Sequence, residues 1–300
     1  MTSSTRHRLA DPRLAIGDPQ WVGFLKTQAH VHLVGVAQHR LRVVETGVGE
    51  PVLLVHGFAD SAYTWHRNLQ ALVEAGFRVV AYDLPGHGES ALPPDFRFGV
   101  DDLARLAVGL LDVLGIERTH FVGHSMGGGI GLLLAIYCPE RLRQVVLEAP
   151  VCYHALFRPF VYLARCPAVT ALARRLIGPW LARPVLHSAY GDDALLTPTV
   201  LSQYRSAFRR AEYARACVGA LRGYWNGAFA QAARRYHTIR TPLHLVWGER
   251  DIWIDHRCAP RLAADTGAGL TIIAGGGHIA HQAKPTLFNR IAVQFLASGP

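Results

Sequence analysis

Three hundred residues, half of them hydrophobic and 18% charged, are enough to bury a sizeable core, which excludes a disordered chain and allows one or two domains. The formal net charge is +9 at pH 7, yet only Lys26 and Lys284 are lysine. The arginines are spread along the chain without the basic and aromatic cluster of a nucleic-acid-binding surface, so no nucleic-acid partner is expected.

No stretch reaches the roughly 18 uninterrupted apolar residues of a membrane span. The first twenty residues hold no apolar run suited to a secretory signal. Five scattered cysteines with no CxxC pair fit reduced thiols, so a cytoplasmic protein is expected. In chain order, "WVGFLKT" predicts a short helix, and "HVHLVGV" and "QHRLRVVETG" predict two strands joined near Ala37 and Gln38. "PVLLVHG" is a continuous apolar run, the pattern of a strand buried on both faces of a parallel sheet. Trp65, Leu69, Leu72 and Val73 have helical spacing, and Gly76 ends that helix. "FRVVAYDLPGHG" reads as a second buried strand running into a glycine-rich turn.

Asp101 is placed to cap the next helix, whose apolar face runs through Leu103, Leu106, Ala107, Leu110, Leu111 and Leu114. Strand "THFVG", small-residue helix "MGGGIGLLLAIYC" and strand "LRQVVLEAP" follow. The alternation breaks at Pro150. It resumes near residue 241 with "PLHLVWGERD", a helix near 257–265, "LTIIAGGGH" and the final helix "TLFNRIAVQFL". The expected fold is α/β: a mostly parallel, doubly wound sheet built from residues 1–150 and 241–300. Residues 151–240 are expected to form an inserted helical cap.

Gly123-His124-Ser125-Met126-Gly127 matches G-x-S-x-G between a strand and a helix, the setting this motif requires. A turn that sharp holds Ser125 in strained backbone space, and glycines two residues before and after remove the side chains that would collide. Serine needs a base. Among sixteen histidines, His278 has the strongest claim, because it follows a strand and so lies on the sheet edge that carries Ser125. His281 is the understudy. Asp251, in the turn after "HLVWG", is the acid expected to orient the base, with Glu249 and Glu148 as fallbacks.

"HGFADSAYTW", "DLPGHGES", "GHSMGG", "WGERD" and "GGGHIAHQAKP", in that order, resemble the α/β-hydrolase fold superfamily, in particular serine-nucleophile members with a helical cap. The resemblance covers nearly the whole chain from about residue 31. It implies an oxyanion hole made by the backbone N–H groups of Phe58 and Met126, with Gly57 letting the loop come close. His56, Asp83 and His87 then read as architecture. Branches that cleave carbon–halogen bonds or epoxides carry an aspartate where this chain has Ser125. No G-x-G-x-x-G or phosphate loop is present, so no cofactor is expected. His278 with His281, and His120 with His124, do not have the setting of a metal site, and none is expected.

The expected activity is therefore hydrolysis of an ester-type bond in a small hydrophobic or acyl substrate, through a Ser125–His278–Asp251 triad and an acyl-enzyme. Acyl transfer or perhydrolysis at the same site is the alternative, and a non-catalytic ligand-binding protein on this scaffold is a third. The segment around Arg158, Arg165, Arg174, Arg175 and Arg183 reads as a hydrophobic roof with Tyr153, Tyr162, Trp180 and Trp225 in the pocket. The same arginines allow a membrane-surface contact as a second reading. Oligomeric state has no signature in the sequence.

Overall fold

The computed structural model describes residues 18–153, 172, 177–223 and 228–299. Eight strands form one sheet: β1 (His30–Val36), β2 (His39–Thr46), β3 (Glu50–Val55), β4 (Phe77–Tyr82), β5 (Thr119–His124), β6 (Leu142–Glu148), β7 (Leu243–Gly248) and β8 (Gly269–Ile273). Their order is β1-β2-β4-β3-β5-β6-β7-β8. The β1–β2 hairpin and the β2–β4 pair are antiparallel, and every other pairing is parallel. The apolar runs explain the central strands: every residue of β5 is buried, as are the last four of β3.

Helices α1 (Pro19–Thr27), α2 (Leu69–Glu74), α3 (Val100–Val113) and α4 (Met126–Tyr137) belong to the first half of the sheet. The stripe of Leu103, Leu106, Ala107, Leu110 and Leu111 buries one face of α3. Gly99 takes the cap position, and Asp101 lies in the first turn, where its charge favours the helix N-terminus. The predicted helix between 61 and 75 divides into a 3₁₀ segment, Ala62–Arg67, and α2, with Asn68 between them. Helix α4 has no polar face, because it lies between the sheet and other helices. Two apolar cores result. One packs α3 and α4 on one sheet face, and the other packs Trp21 and Leu25 of α1 with α2 and the C-terminal helix on the opposite face.

Between β6 and β7 the described residues hold α5 (Ala182–Tyr190), α6 (Pro198–Phe208), α7 (Ala211–Gly223) and α8 (Ala228–Ala233). Leu186, Val200 and Tyr204 join the core of one sheet face, and Ala216, Ala220 and Phe229 join the other. The chain closes with α9 (Ala259–Thr266), β8, α10 (Ala280–Ala283) and α11 (Pro285–Ala297). Among the described residues no helix is long and apolar enough to cross a membrane. Cys138, Cys152, Cys217 and Cys258 are free thiols, and Cys166 lies outside the described residues.

The strand order turns back at β3: β4 lies on one side of it and β5 on the other. The loops after β3 and β5 therefore part at their carboxyl ends and leave a crevice. A buried polar knot beside it fixes the neighbouring turn. Asp83 accepts from the backbone N–H of Ala62 (2.7 Å) and of Glu89 (2.8 Å), and pairs with Arg42 at 3.4 Å. A Cβ at Gly88, whose φ is +48°, would stand 2.1 Å from the Asp83 carboxylate. Asp83→Ala should leave two N–H groups without their acceptor and take from the buried Arg42 the nearer of its two carboxylates, and should cost about 3 kcal/mol or more in urea unfolding. A loss below about 1 kcal/mol would mean that the knot is not a keystone.

Candidate active site

Ser125 stands between β5 and α4 with φ +53° and ψ −112°, a conformation that costs a non-glycine residue energy. The surrounding packing enforces it. A Cβ at Gly127 would lie 2.2 Å from the Val55 carbonyl oxygen, and one at Gly123 would lie 2.6 Å from the Gly127 carbonyl oxygen. Two backbone bonds pin the turn, from Ser125 N–H to the Glu148 carbonyl (2.9 Å) and from Val151 N–H to the Ser125 carbonyl (3.0 Å).

The Ser125 hydroxyl donates to His278 Nε2 at 3.0 Å, and His278 Nδ1–H donates to Asp251 Oδ2 at 2.8 Å. The other carboxylate oxygen of Asp251 accepts from the N–H of Trp253 (2.8 Å) and Ile254 (3.0 Å), which locks the acid. The Trp253 ring stacks on His278 with centroids 5.7 Å apart and planes at 10°. Asp251 and His278 are both buried. The loops carrying them are tied together, with Arg250 N–H donating to the Gly276 carbonyl at 2.8 Å.

Phe58 and Met126 both lie beside Ser125, one across the cavity and one next in the chain. Phe58 lines one cavity with Ser125 and His278. Gly57 brings its loop so close that a Cβ there would lie 3.0 Å from Ser125 Cβ. Met126 opens α4, so its N–H is one of the four N-terminal donors without an intrahelical acceptor.

The fallback residues have other partners. Glu249 accepts from Gly275 N–H at 2.9 Å. His281 donates its backbone N–H (2.8 Å) and its Nδ1–H to the Glu148 carboxyl, and its Nε2 accepts from the Thr64 hydroxyl at 2.8 Å. His124 Nε2–H donates to the His278 carbonyl at 2.9 Å and leaves His124 Nδ1 buried without a partner. His124, Glu148 and His281 thus form one buried cluster, with potential ligand atoms within 4.8 Å of one another. Both His281 nitrogens and both Glu148 oxygens are already engaged in hydrogen bonds. Burial pushes the Glu148 carboxyl up to about 7 and His281 down to about 3, which favours an uncharged pair. His124 is likewise held neutral by burial.

His56, Asp83 and His87 are architectural, as expected: His56 Nε2 accepts from Leu84 N–H at 2.9 Å, and the His87 ring bonds the Pro85 carbonyl. The pocket aromatics differ from the sequence expectation. Tyr153 donates to Asp265 at 2.5 Å and Trp180 is 63% exposed. Tyr162, Trp225, Arg158, Arg165, Arg174 and Arg175 lie outside the described residues. The walls around Ser125 come instead from Leu186, Tyr204, Phe208 and Trp253, together with Asp60.

Asp60 has no counterpart in the sequence reading. It is buried, accepts from Ser61 N–H at 2.8 Å, and bonds the side chains of Thr64 and Tyr204. A sequence reader sees only an aspartate in a turn, because Tyr204 arrives from 144 positions away.

The model of the alpha/beta hydrolase fold family matches residues 50–285. The chain belongs to the alpha/beta hydrolase fold family. Among similar members, a putative carbamate hydrolase, RutD, of Variovorax paradoxus is 32% identical over 83% of this chain and 92% of its own. The 2-hydroxy-6-oxo-6-phenylhexa-2,4-dienoate hydrolase of Burkholderia cepacia is 29% identical over 88% of this chain and 94% of its own. Carboxylesterase CesB of Bacillus subtilis superposes with a TM-score of 0.80 at 21% identity, over 96% of this chain and 98% of its own, a likeness of fold.

Burial pushes the Asp60 carboxyl up to about 7, against the opposing hydrogen bonds of Thr64, Ser61 and Tyr204. The folded protein therefore keeps a proton that the unfolded chain has released, and this contribution to stability declines as pH rises from about 4 to 7. Asp60→Asn removes that slope. Relative to wild type it should gain on the order of 2 kcal/mol between pH 5 and pH 8 in urea titrations. An equal difference at both pH values would refute an acid held protonated.

Proposed function

We propose that the protein is a serine hydrolase acting on an ester-type bond of a small, largely hydrophobic substrate. The observation that carries this reading is the unbroken series from the Ser125 hydroxyl through His278 to Asp251, at 3.0 and 2.8 Å. Ser125 Oγ attacks the carbonyl carbon while His278 Nε2 takes its proton. Asp251 holds the ring in the tautomer that leaves Nε2 free to accept, and stabilises the imidazolium that forms. Negative charge developing on the carbonyl oxygen is met by the N–H groups of Phe58 and Met126, the second at the positive end of α4. His278 then returns the proton to the leaving oxygen, and water repeats the sequence on the acyl-enzyme.

Residues 1–150 and 241–300 serve as the catalytic core, and 151–240 as a cap that keeps bulk water from the site. Support for the cap role comes from α5 and α6, which supply Leu186, Tyr204 and Phe208 to the cavity wall. The names of the two hydrolase relatives favour the same chemistry, since a carbamate and a 6-oxo-dienoate each present a carbonyl carbon. No cofactor is needed for these steps.

Hydrolysis of p-nitrophenyl esters of two to twelve carbons tests the reading. Wild type should turn over part of the series. Ser125→Ala should lose about 10⁴-fold or more in kcat. Asp251→Asn should lose about 10⁴-fold with its structure intact. Turnover that survives Ser125→Ala, or a wild type inert to the whole series, would count against it.

A further inference from the structure

The cavity in front of Ser125 is small, about 40 Å³, room for only a few water molecules. Beside it lies a groove of about 520 Å³, within the range that holds small-molecule ligands. Ala59, Asp60 and Tyr204 line both spaces, so the two share a wall. The groove runs between α1 and α6. Trp21, Val22 and Leu25 give it an apolar side, and Ser202, Arg205 and Arg209 stand on the α6 side at helical spacing.

The arginines that line the groove differ in how they are engaged. Arg42 is spent on Asp83 and Glu89, and Arg210 on Glu212. Arg205 and Arg209 are exposed and make no ion pair among the described residues. Burial pushes the carboxyl of Asp60, on the wall shared with the catalytic cavity, up to about 7, so it carries less negative charge near neutral pH than an exposed aspartate would.

We propose that this groove is a second substrate compartment, and that Arg205 and Arg209 select esters whose apolar stem ends in an anionic group, a carboxylate or a phosphate. The inference rests on Ser125 as the nucleophile. The scissile bond sits in the small cavity, the stem extends past Ala59, Asp60 and Tyr204, which line both spaces, and the anion meets the two guanidinium groups. Arginine suits either oxyanion because its planar fork donates two parallel hydrogen bonds.

The test compares kcat/KM for three anionic esters with neutral partners of equal length. Mono-p-nitrophenyl octanedioate is set against p-nitrophenyl octanoate, and 8-acetoxyoctanoate and 8-acetoxyoctyl phosphate against octyl acetate. These arms distinguish carboxylate from phosphate and acyl side from alcohol side. At least one anionic ester should be preferred by about tenfold in wild type, and Arg205→Glu with Arg209→Glu should abolish that preference. p-Nitrophenyl acetate, too short to reach the groove, should change by less than about twofold in the same variant. Ser202→Trp, which narrows the groove without altering charge, should raise KM for the long esters and spare the acetate.

Neutral esters equal to their anionic partners, or a preference that survives charge reversal, would overturn the proposal. If wild type fails even on p-nitrophenyl acetate, the failure belongs to the catalytic reading, and calorimetry decides the groove separately. The ketone 9-oxodecanoate should then bind about tenfold more tightly than decan-2-one to wild type and lose that advantage in the charge-reversed variant. Equal affinities would overturn it.

Discussion

The geometry of the site depends on one tight turn. Ser125 is held at φ +53° because β3, β6 and α4 meet there too closely for any other path. Gly127 lies against the carbonyls of Val55 and His56, and Gly123 lies against Gly127 itself. That crowding raises the serine hydroxyl above the sheet edge and aims the N-terminus of α4 at the space in front of it. The strand order, the loop after β3 and the position of His278 all take their functional sense from this point.

A second constraint works from beneath. His278 is held on its ring by Asp251 and Trp253, and on its backbone by His124, which donates to the His278 carbonyl. His124 is itself part of the Ser125 turn, so one dipeptide, His124-Ser125, touches both the backbone and the ring of His278. Under it lies the buried Glu148–His281 pair, tied through Thr64 to the loop that carries Asp60. Local rigidity at the site thus comes from buried, hydrogen-bonded polar groups that leave few atoms unsatisfied.

Much of this was legible in the amino-acid order. Continuous apolar runs at Val52–Val55 and around Phe121 announce buried parallel strands, and the spacing from Leu103 to Leu111 announces α3. Ser125, His278 and Asp251 each follow a strand, so their meeting on one sheet edge followed from topology. Other features depend on distances along the chain that no local pattern encodes. Tyr204 reaching Asp60 is one, and Glu148 pairing with His281 in place of His278 is another. At the start of α3 Asp101 lies within the first turn, two residues past Gly99, which takes the cap. Two of the aromatics expected in the pocket, Tyr153 and Trp180, are engaged elsewhere, since Tyr153 satisfies its hydroxyl on Asp265 and Trp180 faces solvent.

The central claim is that Ser125 alone, among all the serines of the chain, is a nucleophile activated by its neighbours. Intact-protein mass spectrometry after treatment with a fluorophosphonate, followed by peptide mapping, tests it most directly. One adduct per chain is expected, on the peptide containing Ser125, with labelling slowed by orders of magnitude in His278→Ala. No adduct on the wild type, an adduct on another residue, or equal labelling of the histidine variant would contradict it.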